Sequence, residues 1–140
     1  MITVLSPHID DAAYALAMTL ARCALQGETI ELVNCFTGSE HAPQLKTHSC
    51  QSISAVRAQE DRLFVERLGK NVSAHYLGFP DTSARPEYED LRSSFHRREY
   101  ASLELQILSE LCTALRKRVS AGTLPAPVFV PLAYGNHVDH

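Results

Sequence analysis

Segments with the residue pattern of β-strands alternate along this chain with segments that have the pattern of α-helices. The strand-type segments are apolar and partly β-branched, and they cover residues 2–6, 30–37, 74–81 and 127–133. The helix-type segments lie between them, at residues 12–26, 53–68 and 103–119. Regular alternation of this kind predicts parallel strands joined by right-handed crossovers. The sequence therefore predicts an α/β, Rossmann-like layered fold, with a mostly parallel sheet flanked by helices.

Length and composition limit what such a fold can be. A chain of 140 residues, 45% hydrophobic and 21% charged, is long enough for one domain with a real core. A net charge of -3 gives no general attraction to phosphate backbones, so nucleic acid is not an expected partner. No segment approaches the roughly 20 apolar residues of a membrane span, and the N-terminus MITVLSPH lacks the features of a signal peptide. We therefore expect a cytoplasmic chain. Residues 12–26 are helix formers nearly all round, so this helix is expected to be buried on most faces.

Ionisable side chains follow the first and the last predicted strand. In the strand order 3-2-1-4 these two strands are neighbours, and ligands bind beyond their carboxyl ends. His8, Asp10 and Asp11 would then face His137 and His140 across one crevice. Imidazole and carboxylate suit a borderline ion such as Zn²⁺, and two His plus one Asp leave a position open for water. The two chain ends together therefore predict a metal site.

Each half of this site also has a simpler interpretation. Asp10 or Asp11 can cap the first helix, with His8 as a turn residue. The two C-terminal histidines can lie at the surface. If His8, Asp11, His137 and His140 all bound the metal, the site would be closed and structural, although closed zinc sites favour cysteine. The four cysteines are far apart and form no C-x-x-C pair.

Four motifs, SPHIDDA, VRAQEDRLFVERLG, YLGFPD and PLAYGNHVDH, occur in this order along the chain. Together they resemble the zinc-dependent N-acetylglucosaminyl deacetylases of the LmbE-like/PIG-L family, over essentially all 140 residues. The resemblance implies His8, Asp11 and His140 as ligands of Zn²⁺, or of Fe²⁺ or another divalent metal. It implies Asp10 as the catalytic acid/base and His137 as the second catalytic residue.

Three further polar residues lie in or beside these motifs. The resemblance implies that Arg57 contacts the substrate, whereas the simpler reading is a solvated ion pair with Glu60. The resemblance implies that Asp81 accepts a hydrogen bond from a sugar hydroxyl, whereas the simpler reading is a turn-forming residue after Pro80. Asp139 would orient a ligand imidazole, or it is a carboxylate at a helix N-terminus.

The resemblance implies a hydrolase that removes an N-acetyl or other N-acyl group from an amino-sugar conjugate with a zinc-activated water. Asp10 would take the proton of that water, and His137 would stabilise the oxyanion or protonate the amine. The alternative is a non-catalytic sugar- or nucleotide-binding module, although no G-x-G-x-x-G follows the first strand. A third alternative, a metallophosphoesterase, usually needs two metal ions and more carboxylates than the predicted crevice offers.

Relatives in this family usually continue beyond the last motif, whereas this chain stops at His140. We therefore expect residues 1–140 to be a single deacetylase domain truncated at its C-terminal side. The remainder would be a missing segment or would come from another chain, as in a homo-oligomer.

Overall fold

Within the described residues, four parallel strands form one sheet in the order β3-β2-β1-β4. The computed structural model describes residues 1–42, 49–85, 101–120 and 128–130. The strands are β1 (Ile2–His8), β2 (Ile30–Gly38), β3 (Val72–Pro80) and β4 (Val128–Phe129). The helices are α1 (Asp11–Leu25), α2 (Cys50–Leu68) and α3 (Ala101–Ser120), and a 3₁₀ turn, Thr82–Ala84, follows β3. The predicted α/β fold is confirmed.

The register of the strands brings their carboxyl ends to one edge of the sheet. His8 in β1 pairs with Phe36 in β2, and Phe36 pairs with Phe79 in β3. On the other side of β1, Thr3 pairs with Val128 of β4, so the predicted adjacency of the first and last strands is also confirmed. The segments that follow β1, β2 and β3 therefore lie side by side, at the edge where parallel sheets bind ligands.

The main hydrophobic core lies between the sheet and the helices α1 and α2. Val4 is 1% exposed, and Leu20, Ile30 and Leu32 are 0% exposed. Burying each such side chain contributes about 1.5–3 kcal/mol relative to leaving it in water. This packing fixes α1 and α2 over the strands, and it thereby fixes the helix residues that reach the sheet edge.

Helix α1 buries only one of its faces, so the expectation of burial on most faces is wrong. Ala12, Leu20 and Ala24 are buried at the helical period. Tyr14 is 87% exposed, Met18 84% and Leu25 90%. A segment with helix-forming residues on nearly every face is predicted to be helical, but this pattern does not specify how many of its faces pack against the rest of the protein.

The helix ends follow from capping residues. Gly27 and Gly69 have φ angles of 84° and 121°, which L side chains rarely adopt, and they stand just beyond α1 and α2. Helix α2 begins at Cys50, earlier than predicted, because the Ser49 side chain accepts a hydrogen bond from the amide of Ser52. Among the helices of the described ranges, none is long and apolar enough to cross a membrane.

Candidate functional site at the carboxyl edge of the sheet

Ser6, rather than an aspartate, provides the side-chain hydrogen bond at the start of α1. Its hydroxyl accepts from the backbone N–H of Ala12 at 3.2 Å and donates to the carbonyl of His8 at 2.7 Å. The residue at the N-cap position is Asp10, and its side chain makes no capping hydrogen bond. Asp10 therefore occupies the expected N-cap position, but its carboxylate does not cap the helix and is available for another role.

His8 and Asp11 come together at the end of β1. The Asp11 carboxylate accepts the backbone N–H of His8 at 2.8 Å, and its Oδ2 lies 3.5 Å from His8 Nδ1. Two donors that are each about 2.0–2.2 Å from a tetrahedral Zn²⁺ lie roughly 3.3–3.6 Å apart. One nitrogen and one oxygen at this spacing fit two of the three expected metal ligands.

The neighbouring carboxylate has a different partner. Asp10 Oδ1 accepts a hydrogen bond from Arg57 Nη2 at 2.8 Å, and its side chain is 45% exposed at the edge of the sheet. Asp10 is thus held by a guanidinium, whereas Asp11 lies against the imidazole of His8. Asp10 and Asp11 are adjacent in sequence, but their carboxylates lie in two different environments.

Arg57 lies among the ends of three strands. Besides Asp10, its guanidinium donates through Nη1 to Ser39 Oγ at 3.0 Å, just after β2. Nη1 also lies 3.9 Å from Asp81 Oδ2, just after β3. The interpretation of Arg57 as a solvated residue paired with Glu60 is not what the structure has, since the Arg57 side chain is only 17% exposed and pairs with Asp10.

Asp81 does form the turn that follows Pro80. Its Oδ1 accepts from the backbone N–H groups of Ser83 and Ala84 at 2.8 and 3.1 Å and from the Ser83 hydroxyl at 2.6 Å. The simpler reading of this residue is therefore confirmed, while contact with a sugar stays a prediction. Its Oδ2, on the side of Arg57, is the oxygen that such a contact would use.

Aromatic rings and a buried arginine lie beside His8. The His8 and Phe36 ring centroids are 6.2 Å apart, and Phe79 packs edge-on against Phe36 at 6.3 Å. The guanidinium of Arg85 lies 4.9 Å from the Phe36 ring centroid, and Arg85 is only 5% exposed. A cation–π contact of this kind, together with a hydrogen bond from Arg85 Nε to the Pro80 carbonyl, holds the buried guanidinium against the ring that packs beside His8.

A second polar group is buried beneath this edge. Asp61 Oδ2, on α2, accepts from Asn34 Nδ2 at 3.0 Å and from the Tyr76 hydroxyl at 2.7 Å. Burial raises the pKa of Asp61; the two hydrogen bonds oppose this rise, and the charge of Asp10 adds to it. Burial also raises the pKa of Tyr76, as do its hydrogen bond to Asp61 and that carboxylate's charge. Sequence reasoning missed this group, although Asn34 within an apolar strand was a signal for it.

Asp61 predicts a pH dependence of stability. Because its pKa in the folded chain is raised, this carboxyl contributes stability that is full below its ordinary pKa of 3.8 and is lost as pH rises through the raised value. Asp61→Asn cannot titrate, so the free energy of unfolding of this variant should rise relative to wild type from acid to neutral pH. Each unit of pKa elevation adds about 1.4 kcal/mol to the change.

Urea unfolding across this pH range measures the effect. The exposed Glu66 provides the control, since Glu66→Gln should leave the difference from wild type nearly constant. A constant difference for Asp61→Asn as well would show that its carboxyl titrates alike in the folded and unfolded chain.

The last motif lies outside the described residues. This applies to His137, Asp139 and His140, so their predicted convergence on His8 stays a prediction. Among the residues that the structure does describe, no group of three His, Cys, Asp or Glu side chains is placed to hold a metal ion. His8 and Asp11 are two such side chains, and a metal site built on them would need a third donor from outside the described residues.

Comparison with known proteins bears on both the sequence and the fold. A family model described as "PIG-L: GlcNAc-PI de-N-acetylase" matches residues 3–140. None of the curated proteins compared matches the chain. The zinc-inhibited form of teicoplanin deacetylase Orf2 superposes with a TM-score of 0.78 at 21% identity, covering 99% of this chain and 58% of that one. N,N'-diacetylchitobiose deacetylase from Pyrococcus horikoshii has a TM-score of 0.61 at 23% identity, with coverages of 99% and 44%.

A protein that catalyses a different reaction has a similar fold. GalB, the 4-carboxy-2-hydroxymuconate hydratase from Pseudomonas putida KT2440, superposes with a TM-score of 0.53 at 20% identity, over 60% of this chain and 36% of that one. At such identities the likeness concerns the fold, and a fold alone does not select a reaction. The chain also spans only 44% to 58% of the two deacetylases' length.

Proposed function

The chain belongs to the PIG-L family, and on that premise we propose that it removes the N-acetyl group from an amino-sugar conjugate by metal-dependent hydrolysis. The observation that carries the proposal is the division between two adjacent carboxylates. Asp11 lies with His8, as a pair of metal ligands would, while Asp10 is held apart by Arg57. Metal-dependent amide hydrolysis needs ligands that hold the ion and a separate group that moves protons, and two carboxylates in different environments can divide these roles.

His8 and Asp11, together with His140, would hold the metal, which we propose to be Zn²⁺ or Fe²⁺. Their mixed nitrogen and oxygen donors fit such an ion and leave room for water and substrate. When bound, the ion would lower the pKa of water from 15.7 to about 7 and polarise the acyl oxygen.

Asp10 would accept the proton that the attacking water loses. Its carboxylate is half-exposed at the carboxyl edge of the sheet, and its hydrogen bond with Arg57 limits the orientations it can take. The departing amine needs a proton, which Asp10 or His137 would return to it. His137 would otherwise stabilise the oxyanion, and Asp139 would orient a ligand imidazole.

The sugar would be bound by Arg57 and Asp81. Both lie where the segments after β2 and β3 meet, next to Asp10. A carboxylate oxygen and the N–H groups of Arg57 that are left after its contacts suit the hydroxyls of a sugar ring. Deacetylases of teicoplanin and of N,N'-diacetylchitobiose share the fold, which supports an amino-sugar conjugate as the substrate.

Amine release from acetylated sugars tests the proposal. The metal-loaded chain, given N,N'-diacetylchitobiose or an N-acetylglucosamine glycoside, should release free amine and acetate in equal amounts. A chelator should stop the release, and the metal should restore it. Because a related deacetylase has a zinc-inhibited form, zinc is best titrated rather than added in excess. A chain that binds the metal and the sugar yet releases no amine would be a binding module.

A further inference from the structure

Two serines connect Arg57 to Asp81 through hydrogen bonds. Arg57 Nη1 donates to Ser39 Oγ at 3.0 Å, and Ser39 Oγ lies 3.4 Å from Ser83 Oγ. Ser83 Oγ in turn donates to Asp81 Oδ1 at 2.6 Å. Ser39 follows β2 and is 2% exposed, whereas Ser83 belongs to the turn after β3. The chain of bonds therefore joins two strand ends to helix α2.

The donors and acceptors fix the direction of this chain. A guanidinium can only donate, and a carboxylate can only accept. Ser39 Oγ accepts from Arg57 and from the backbone N–H of His41 at 3.1 Å, so its own proton is left for Ser83. The Ser83 proton is committed to Asp81. Every hydroxyl proton thus points from Arg57 towards Asp81, and bonds aligned in this way strengthen one another.

The chain matters because two carboxylates compete for one guanidinium. Arg57 is 2.8 Å from Asp10 but 3.9 Å from Asp81. Asp81 is the more buried of the two, with 6% of its side chain exposed, and in a less polar environment it would attract Arg57 more strongly. The donors on its Oδ1, Ser83 among them, spread its charge and reduce that attraction.

We propose that Ser39 and Ser83 are positioning residues that keep the guanidinium of Arg57 on Asp10 instead of on Asp81. Ser39 holds one side of the guanidinium through Nη1, which leaves Nη2 directed at Asp10. Ser83 satisfies Asp81 from the opposite side. The consequence for catalysis rests on the proposed function, since it assumes that Asp10 is the acid/base, whereas the placement of Arg57 does not depend on it.

Nuclear magnetic resonance of labelled arginine side chains measures the placement directly. In wild type, the Arg57 Nη groups should rotate slowly and give separate signals at low temperature, with Arg57→Lys identifying them. Ser39→Ala and Ser83→Ala should merge or shift these signals. Ser83→Thr, which keeps a hydroxyl, should restore them. Ser73→Ala, at an exposed position of β3, is the matched control and should change nothing.

Steady-state kinetics adds a second readout. If Arg57 positions Asp10, Ser83→Ala should lower kcat roughly 10- to 100-fold, as a small misplacement of a catalytic group does. Metal content and the thermal midpoint should stay near wild type, and Ser83→Thr should recover most of kcat. Ser39 is buried, so Ser39→Ala could fail to fold. Ser83 is less buried, and Ser83→Ala therefore tests the same chain of hydrogen bonds at a position that tolerates substitution better.

The outcomes separate the two proposals. Arg57 signals that stay unchanged in folded Ser39→Ala and Ser83→Ala would overturn the positioning role, whatever the kinetics. Altered Arg57 signals in a chain whose wild type releases no amine would support the positioning role and reject the deacetylase. Altered signals with unchanged kcat would overturn the link between Arg57 and catalysis.

Discussion

Asp10→Asn should lower the rate of amine release by roughly 10²- to 10⁴-fold, the range that a general acid/base contributes. An amide has nearly the shape of a carboxylate, but it cannot accept the proton of the attacking water. The variant can still accept the hydrogen bond from Arg57 Nη2, which wild type makes at 2.8 Å. The geometry of the edge should therefore survive, and the loss should fall on kcat more than on KM.

Metal titration accompanies this experiment. Asp10 is directed at Arg57 and is not expected to be a ligand, so the metal affinity of Asp10→Asn should stay within a few-fold of wild type. Glu66→Gln, an exposed carboxylate on α2, should affect neither quantity. Full turnover in Asp10→Asn would remove Asp10 from the acid/base role, and a lost metal would instead make it a ligand.

The sequence was most informative about the fold where hydrophobic patterns are local. Alternating strand and helix segments predict a parallel sheet because the handedness of crossovers leaves few other arrangements. The pairing of Thr3 with Val128 confirms that the last strand lies beside the first. The H-x-D-H motif follows that last strand, so the confirmed adjacency supports its convergence with His8, which stays a prediction. A cytoplasmic location also stays a prediction.

The polar partners in the candidate site were harder to predict. Ser6, Ser39 and Ser83 are small residues in strands or turns, and sequence patterns treat them as turn formers. Their hydrogen bonds join residues that are brought together by strand register, which residue periodicity does not specify. The sequence carried a clearer signal for Asp61, because this residue follows Arg57 by one helical turn and so lies on the same face of α2. A charged residue on the face that packs against a sheet predicts a buried partner.

Loss of a metal ligand should be the second large effect. Asp11→Asn and His8→Ala each remove one of the two donors that lie 3.5 Å apart at the end of β1. Removing only a hydrogen-bonding neighbour of a ligand typically costs roughly 10- to 100-fold in metal affinity, and loss of the ligand itself should cost more. Competition with a coloured chelator measures this affinity without any turnover.

Thermal unfolding with and without metal gives an independent check. A ligand at about 100 times its Kd stabilises the folded chain by about 2.7 kcal/mol, so Zn²⁺ should raise the thermal midpoint of wild type and of Asp10→Asn. The same concentration should leave Asp11→Asn almost unshifted. Asp10 and Asp11 are adjacent carboxylates, and charge alone predicts the same result for both variants. Equal shifts would therefore mean that the ion is attracted by the general charge of this edge, and His8 and Asp11 would not be its specific ligands.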